Sequence, residues 1–240
     1  MRRLILPVLL FCGWLGQGAW AMEQSAARAD KAFDPLAVYG PTASYDILRN
    51  GEPVGSHRIE FTRSGDILAV ESRSDIEVRL LFLSAYSFSY VAQSHWQDGQ
   101  LLTLEAKTDD DGERSVVRVA PANDGLIAAG PSGESPITPL HPLSEHWWQR
   151  FIAGEEQLNT ITGAVNRIDV EPLGSAYVPM AAGIAPAARF RIDGDIQLET
   201  WYDDAGRWLG MRFLARDGST IEYRCRACRA EMASLAGDGR

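Results

Sequence analysis

The sequence predicts a mostly β protein: a highly curved antiparallel sheet or open barrel of many hairpins, with one covering helix near residues 142–153. Two observations support this prediction. Glycine-containing turn signals recur along the chain, and they favour the backbone twist that antiparallel hairpins need. Between the turns, apolar and polar residues alternate with the period of two that is typical of half-buried strands. We therefore expect a single β-rich domain over residues 42–228.

The turn signals and the first strands follow one another in order. The turns are Asn50-Gly51, Ser64-Gly65-Asp66, Asp98-Gly99, Asp111-Gly112, Asp124-Gly125, Asp193-Gly194, Asp204-Ala205-Gly206 and Asp217-Gly218. Alternation predicts strands at residues 56–63 and 67–80. The second of these runs is long, so we expect it to curve, with a bulge near Ser72 or Ser74. The apolar face of the first run carries His57, Ile59 and Phe61.

The next run, residues 82–96, is rich in aromatic side chains. They share one face, which carries Phe82, Tyr86, Phe88, Tyr90 and Trp96. The opposite face is also partly apolar, so both faces of this strand are expected to be covered. Further alternation predicts strands within residues 196–203, 209–214 and 221–224, which complete an antiparallel meander.

One segment interrupts the strand pattern. Residues 136–153 contain three prolines, a Ser144-Glu145 helix start and a run of large apolar side chains before Gly154. This composition predicts a helix of two to three turns. Its aromatic residues are Trp147, Trp148 and Phe151. We expect the helix to cover the open sheet, with one face packed and the other bordering a cavity or a partner.

The amino-terminal end predicts a secretory signal peptide over residues 1–21. Its parts are the basic pair Arg2 and Arg3, the apolar run Leu4–Gly16, and the small residues Ala19 and Ala21 before a cleavage site at Met22. An apolar run of this length rises only about 20 Å as a helix, too short for a bilayer core of about 30 Å. We therefore expect cleavage, no transmembrane anchor, a linker over residues 22–41 and a periplasmic location.

The two remaining cysteines fit that compartment. Cys225 and Cys228 are spaced C-x-x-C near the carboxyl end, before a tail over residues 229–240. In an oxidising compartment a local disulfide is expected. A redox-active pair and half of a zinc site are the alternatives. Since an extended strand holds residues three apart about 10 Å from each other, a bond would require the last strand to end near Arg224.

Composition and motifs exclude several classes of function. The chain is 45% hydrophobic and 23% charged, as in ordinary globular proteins, and its net charge of −9 disfavours nucleic acid as a partner. Catalytic sequence motifs are absent, so no catalytic residue, metal or cofactor is predicted. His57 is interpreted as a core histidine. A hydrolase or lipid-modifying enzyme remains an alternative, with a polar group formed by His57, His95, His146 and Asn159.

The ordered set of turns and aromatic pairs resembles a family of exported bacterial proteins that carries a domain-of-unknown-function label. The resemblance covers about residues 44–224. The matching parts are Tyr45-Asp46-Ile47, Asn50-Gly51, Val54-Gly55-x-His57, Trp96-x-Asp98-Gly99, Thr108–Gly112, Gly130–Gly133, Trp147-Trp148, Leu158–Gly163, Gly194-Asp195, Trp201-Tyr202-Asp203 and Gly206-Arg207-Trp208. The family implies no activity. More distantly, the layout is similar to periplasmic lipoprotein carriers, which hold acyl chains under a helix.

The leading functional hypothesis is non-enzymatic binding of a hydrophobic or lipid ligand, or of an envelope partner. The candidate ligand-binding residues are aromatic: Tyr86, Phe88, Tyr90, Trp147, Trp148 and Trp201. They exceed what the smaller strands can pair with, and an apolar cavity between sheet and helix would use them. A structural assembly partner is a further alternative.

Overall fold

The computed structural model describes residues 33–80, 83–181 and 183–228. The predicted signal peptide with Ala19, Ala21 and Met22, the first part of the predicted linker, Phe82 and the predicted tail over 229–240 lie outside these residues. The structural statements below concern the described residues.

Fourteen strands of the described residues form one antiparallel sheet. They are β1 (Thr42–Arg49), β2 (Glu52–Ser64), β3 (Ile67–Leu80), β4 (Leu83–Gln97), β5 (Gln100–Asp110), β6 (Glu113–Ala122), β7 (Gly125–Gly130), β8 (Gly133–Ile137), β9 (Glu156–Leu158), β10 (Val165–Met180), β11 (Gly183–Gly194), β12 (Leu198–Tyr202), β13 (Trp208–Leu214) and β14 (Thr220–Ala227). The predicted mostly β class and antiparallel hairpins are confirmed.

The strand order shows two meanders joined through the first and last strands. Strands β1 to β8 are neighbours in sequence order, and so are β9 to β14. β1 pairs antiparallel with β14, and this pairing places β8 and β9 at the two ends of the sheet. The chain therefore crosses from one end to the other through residues 138–155.

The two ends of the sheet approach each other without pairing as strands. The backbone amide of Ser132, in the β7–β8 turn, donates to the Thr162 carbonyl at 3.0 Å. A Cβ atom on Gly130 would lie 2.9 Å from that same carbonyl oxygen and 3.1 Å from the Cα atom of Gly163. Glycine at these positions thus lets two turns meet. The sheet remains an open barrel, as predicted.

Bulges curve the sheet, although not where the sequence suggested. The β2–β3 register is continuous through Ser72 and Ser74, which lie opposite Ile59 and His57. In β3 the register shift falls between Val78 and Arg79, on the β4 side. The predicted bulge near Ser72 or Ser74 is therefore wrong. Both serines face the interior, where small side chains leave room for the segment that crosses the barrel.

That crossing segment, residues 142–153, is here called the plug. It covers the concave face as expected, but the predicted helix is reduced to a 3-10 turn over Gln149–Ile152. Leu143 forms a parallel bridge with Leu158 of β9, and the Ser144 amide donates to the Leu158 carbonyl at 2.9 Å. Since this pairing holds the start of the plug extended, the Ser144-Glu145 pair does not begin a helix.

A short helix, α1 (Pro35–Tyr39), precedes β1 and corrects the linker prediction for its last part. Asp34 caps it, because its side chain accepts from the Leu36 amide at 3.1 Å. Tyr39 is buried, donates its hydroxyl proton to the Trp147 carbonyl at 2.7 Å and accepts from the Trp208 amide at 2.8 Å. Residues 34–41 therefore belong to the packed domain.

The predicted disulfide joins Cys225 to Cys228, with Cα atoms 5.9 Å apart. The expectation that the strand ends near Arg224 is wrong, because β14 continues to Ala227. A bulge reconciles the two facts: Tyr45 lies opposite Cys225 but Ser44 lies opposite Ala227, so one extra residue shortens the path. Both cysteines are buried, which favours a structural bond over a redox-active pair.

Replacing Cys225 and Cys228 together by alanine is expected to lower the free energy of unfolding by only about 2 kcal/mol, because the closed ring is small. Urea unfolding of the double variant measures this loss, and wild-type protein treated with a reductant is the matched control. Rapid reaction of the folded wild type with a thiol–disulfide exchange reagent would instead support the redox alternative.

Candidate functional site

The interior holds a cavity of about 110 Å³ between the plug and the concave face of the sheet. Strands β2, β3, β4, β13 and β14 supply one side, and the plug with the turn after β9 supplies the other. Alternation along each strand aims every second side chain at this space. The cavity is therefore lined by the inward-facing side chains of these strands.

Aromatic rings form most of the apolar wall. Phe88 and Tyr90 come from β4, Trp147 from the plug, Trp208 from β13 and Tyr223 from β14. Trp208 is fixed in place because its indole nitrogen donates to Thr200 Oγ1 at 3.1 Å, and its ring packs on Tyr45 at 4.4 Å between centroids. These two contacts hold Trp208 in its place in the wall.

Two histidines border the cavity as neutral groups. His57 Nδ1 and Ser74 Oγ are 2.7 Å apart, and burial lowers the pKa of His57 to about 4. The His146 ring lies between Phe151 and Trp208, at 4.1 and 5.1 Å between centroids. Burial, with a smaller contribution from His57, lowers the pKa of His146 to about 3. At neutral pH neither ring carries a charge.

One carboxyl group, that of Glu145, borders the same cavity. Its Oε2 atom accepts from the Trp147 indole at 3.3 Å, while its Oε1 atom is shielded from solvent without a hydrogen-bond partner among the described residues. Burial raises the pKa of Glu145, and nearby Ser72, Trp147 and Tyr90 oppose the rise. Ser72 lies near Glu145, but its Oγ atom has no hydrogen-bond partner among the residues that the structure describes.

A polar chain closes the side of the cavity that faces the turn after β9. The Tyr90 and Thr160 hydroxyl groups are 2.6 Å apart, and Ser144 Oγ is 3.0 Å from Thr160 Oγ1. Ser144 Oγ also accepts from the Thr160 amide at 3.0 Å. These bonds tie the plug to β4 and to the turn after β9.

The six ligand-binding candidates from the sequence separate into two sets. Phe88, Tyr90 and Trp147 line the cavity. Trp148 packs nearby under the Arg150 guanidinium, 3.9 Å from its ring centre. The Tyr86 hydroxyl donates to Asp110 at 2.8 Å. Trp201 lines a separate surface groove with Tyr177 and Arg212.

The residues of the hydrolase alternative separate in the same way. His57 and His146 both line the cavity. His95 is exposed, with its Nδ1 atom 3.2 Å from Thr103 Oγ1. Asn159 caps the turn after β9, since its Oδ1 atom accepts from the Ile161 and Thr162 amides at 2.9 and 3.2 Å.

Ser72, Glu145 and Trp208 line the cavity but are not among the six predicted ligand-binding residues. The alternation of β3 was a signal for Ser72, because its parity matches that of the buried Leu68 and Val70. Glu145 gave no signal, because a Ser-Glu pair before apolar residues is typical of a helix start.

Residues 45–226 match the family described as domain of unknown function (DUF6134). The chain belongs to this family. The match begins within β1 and ends within β14, so it includes the plug and all the strands between these two. The resemblance to an uncharacterised domain family is thereby confirmed, while export stays a prediction. No curated protein matches the sequence.

A solved structure shows the same kind of fold. It is the crystal structure of a beta-barrel-like protein of domain of unknown function DUF1849 from Brucella abortus. The two proteins are 10% identical, with a TM-score of 0.53, and the match covers 77% of this chain and 94% of that chain. At this identity the likeness concerns the fold alone.

Within residues 33–80, 83–181 and 183–228, His, Cys, Asp and Glu side chains form no group of three or more that could hold a metal ion. Within the same ranges, no helix is both long enough and apolar enough to cross a bilayer.

Proposed function

We propose that this protein is an exported, periplasmic binding protein that takes a small hydrophobic ligand into the cavity under the plug and catalyses no reaction. The observation that carries this proposal is the cavity of about 110 Å³ walled by Phe88, Tyr90, Trp147, Trp208 and Tyr223. An aromatic-lined interior with a few convergent polar groups is typical of small-molecule sites. Export rests on the predicted leader.

The size of the cavity limits the ligand. An apolar cavity of roughly 150 Å³ holds one benzene molecule, so a cavity of about 110 Å³ holds at most a single ring or a short chain. A complete acyl chain needs more space than the cavity offers. We therefore favour a ligand of single-ring size over the long-chain lipid that the resemblance to lipoprotein carriers implied.

The hydrolase alternative has one observation in its favour, the short contact between His57 Nδ1 and Ser74 Oγ at 2.7 Å. A general base works best with a pKa near the working pH. The pKa of His57 is lowered to about 4, which makes it a weak base. Ser74 is also buried, so an ester or amide substrate has little access to it. Binding without catalysis is the better-supported function.

Benzyl alcohol, a neutral one-ring probe, is expected to bind the folded wild-type protein in isothermal titration calorimetry. Met211 lines the cavity, so Met211→Trp should fill it and weaken binding at least about tenfold. Leu214→Trp, on the exposed side of the same strand, is the matched control and should bind normally. Failure of the wild type to bind any one-ring probe, neutral or charged, would contradict the proposal, and so would unchanged binding by folded Met211→Trp.

A further inference from the structure

The described part of the cavity wall has one acidic side chain and no side chain that is positively charged at neutral pH. Among the described residues, the wall contains no lysine or arginine, and its two histidines have pKa values lowered to about 4 and about 3. Glu145 is the one carboxyl group there. Any net charge that the wall carries at neutral pH is therefore negative.

Three polar groups of the wall have no hydrogen-bond partner among the described residues. They are Ser72 Oγ, Glu145 Oε1 and His146 Nδ1. Ser72 is 1% exposed and His146 is 8% exposed, so bulk solvent does not satisfy them. Buried polar groups in folded proteins nearly always have a partner. All three atoms belong to residues that border one cavity, so a molecule bound there would be within reach of them.

The atoms that lack a hydrogen-bond partner indicate which chemical groups a ligand of the cavity would carry. A carboxylate oxygen only accepts hydrogen bonds, and a hydroxyl oxygen also accepts. An ammonium group has three donors and a positive charge, whereas an alcohol has one donor and no charge. A ligand carboxylate would be repelled by Glu145 and would find no basic side chain.

The apolar part of the wall suits the same class. Trp208, Tyr90 and Tyr223 border the cavity, and the faces of such rings attract cations. The attraction is greatest where water is excluded. Aromatic walls with one acidic group thus fit a cation attached to an apolar body better than a neutral hydrocarbon.

We propose that the ligand of the cavity is a small amine with an apolar body of about one ring, whose ammonium group is bound by Glu145. This inference rests on the proposed binding function and specifies its ligand class. The positive charge of the amine opposes the burial that raises the pKa of Glu145, so the bound pair is an ammonium group and a carboxylate. The ammonium group also donates to the unsatisfied acceptors beside it. Because such a pair is shielded from water, loss of either charge weakens binding strongly.

Three one-ring probes that differ in one group test the inference: benzylamine, benzyl alcohol and benzoate. By isothermal titration calorimetry at pH 7, benzylamine should bind wild-type protein at least about tenfold more tightly than benzyl alcohol, and benzoate should bind least. Comparable affinity for benzylamine and benzyl alcohol would overturn the amine assignment, yet it would leave the binding function standing. No binding of any probe would overturn both.

Two variants test whether Glu145 causes the preference for benzylamine. Glu145→Gln keeps the shape of the side chain and removes its charge, so benzylamine affinity should fall to the level of benzyl alcohol, whose own affinity should change little. Glu156→Gln, on an exposed acid of β9, is the matched control and should retain the preference. Full benzylamine affinity in folded Glu145→Gln would overturn the role of Glu145. The wild-type comparison decides the ligand class even if that variant does not fold.

Discussion

Replacing Trp147 by alanine is expected to lower the free energy of unfolding by about 3–5 kcal/mol, the range for a large aromatic side chain in a core. Trp147 is 2% exposed. Its ring meets Phe61, Trp96 and Trp148 at centroid distances of 5.7, 5.6 and 5.6 Å. An alanine side chain at this position would lose all three ring contacts.

Urea unfolding followed by circular dichroism measures the loss. Trp201→Ala is the matched control, because Trp201 is only partly buried and lines a surface groove. We expect it to cost about 1 kcal/mol or less. Equal losses in the two variants would contradict the assignment of Trp147 to the centre of the fold, and a small loss for Trp147→Ala would mean that the cavity side dominates its surroundings.

The stability of the protein is expected to fall between pH 6.5 and pH 4.5 because of the two cavity histidines. The pKa of His146 is lowered to about 3 and that of His57 to about 4, while both lie near 6.5 in an unfolded chain. Below pH 6.5 the unfolded state therefore binds more protons than the folded state. The stabilisation is complete above pH 6.5 and is lost as the pH decreases.

For His146, which is almost fully buried, the loss between these two pH values is about 2 kcal/mol. His57 contributes less, since part of its side chain is exposed. Glu145 has the opposite sign: its raised pKa favours the folded state at low pH and loses that contribution as the pH rises. The net pH dependence of stability is thus the sum of a loss from the two histidines at low pH and an opposing contribution from Glu145.

His146→Gln removes the titrating ring, and its free energy of unfolding should decline about 2 kcal/mol less than that of the wild type from pH 6.5 to pH 4.5. Urea unfolding at several pH values measures this difference, which does not depend on the absolute stability of the variant. His95→Gln is the control, because His95 is exposed. Parallel curves for wild type and His146→Gln would contradict the prediction.

Local signals explain why the sheet was predictable. Asn50, Asp98 and Asp111 have positive φ angles of 51°, 51° and 53°, each followed by a glycine that also has a positive φ. Such turns depend on two or three neighbouring residues, and alternation depends on the strand itself. Both are written in short stretches of sequence.

The plug was harder to predict because distant residues decide its conformation. Its composition favours a helix, yet Leu143 is paired with Leu158 and the Leu158 amide donates to the Pro142 carbonyl at 2.8 Å. This pairing forms only when the other end of the sheet is in place. Helix α1 was missed for a different reason: five residues are too few for a periodic signal.

The residues of the candidate site show the same difference between local signals and distant contacts. Phe88, Tyr90 and Trp147 could be selected because aromatic residues shared a strand face or a segment. The burial of Glu145 and the meeting of His57 with His146 depend on packing between elements far apart in sequence. Trp201 shows the limit of this selection, since it lines a separate surface groove and the sequence pattern does not distinguish it from the residues of the cavity wall.

The pairing of β1 with β14 has a consequence for how the protein is made. Hairpins within each meander join residues close in sequence and form early, but Ile47 and Tyr223 become partners only after almost the whole chain has left the ribosome. Until then β1 and β14 are edge strands of their meanders, and each presents unpaired backbone groups to other chains. A truncation that removes β14 therefore leaves two half-sheets prone to aggregate rather than a smaller working domain.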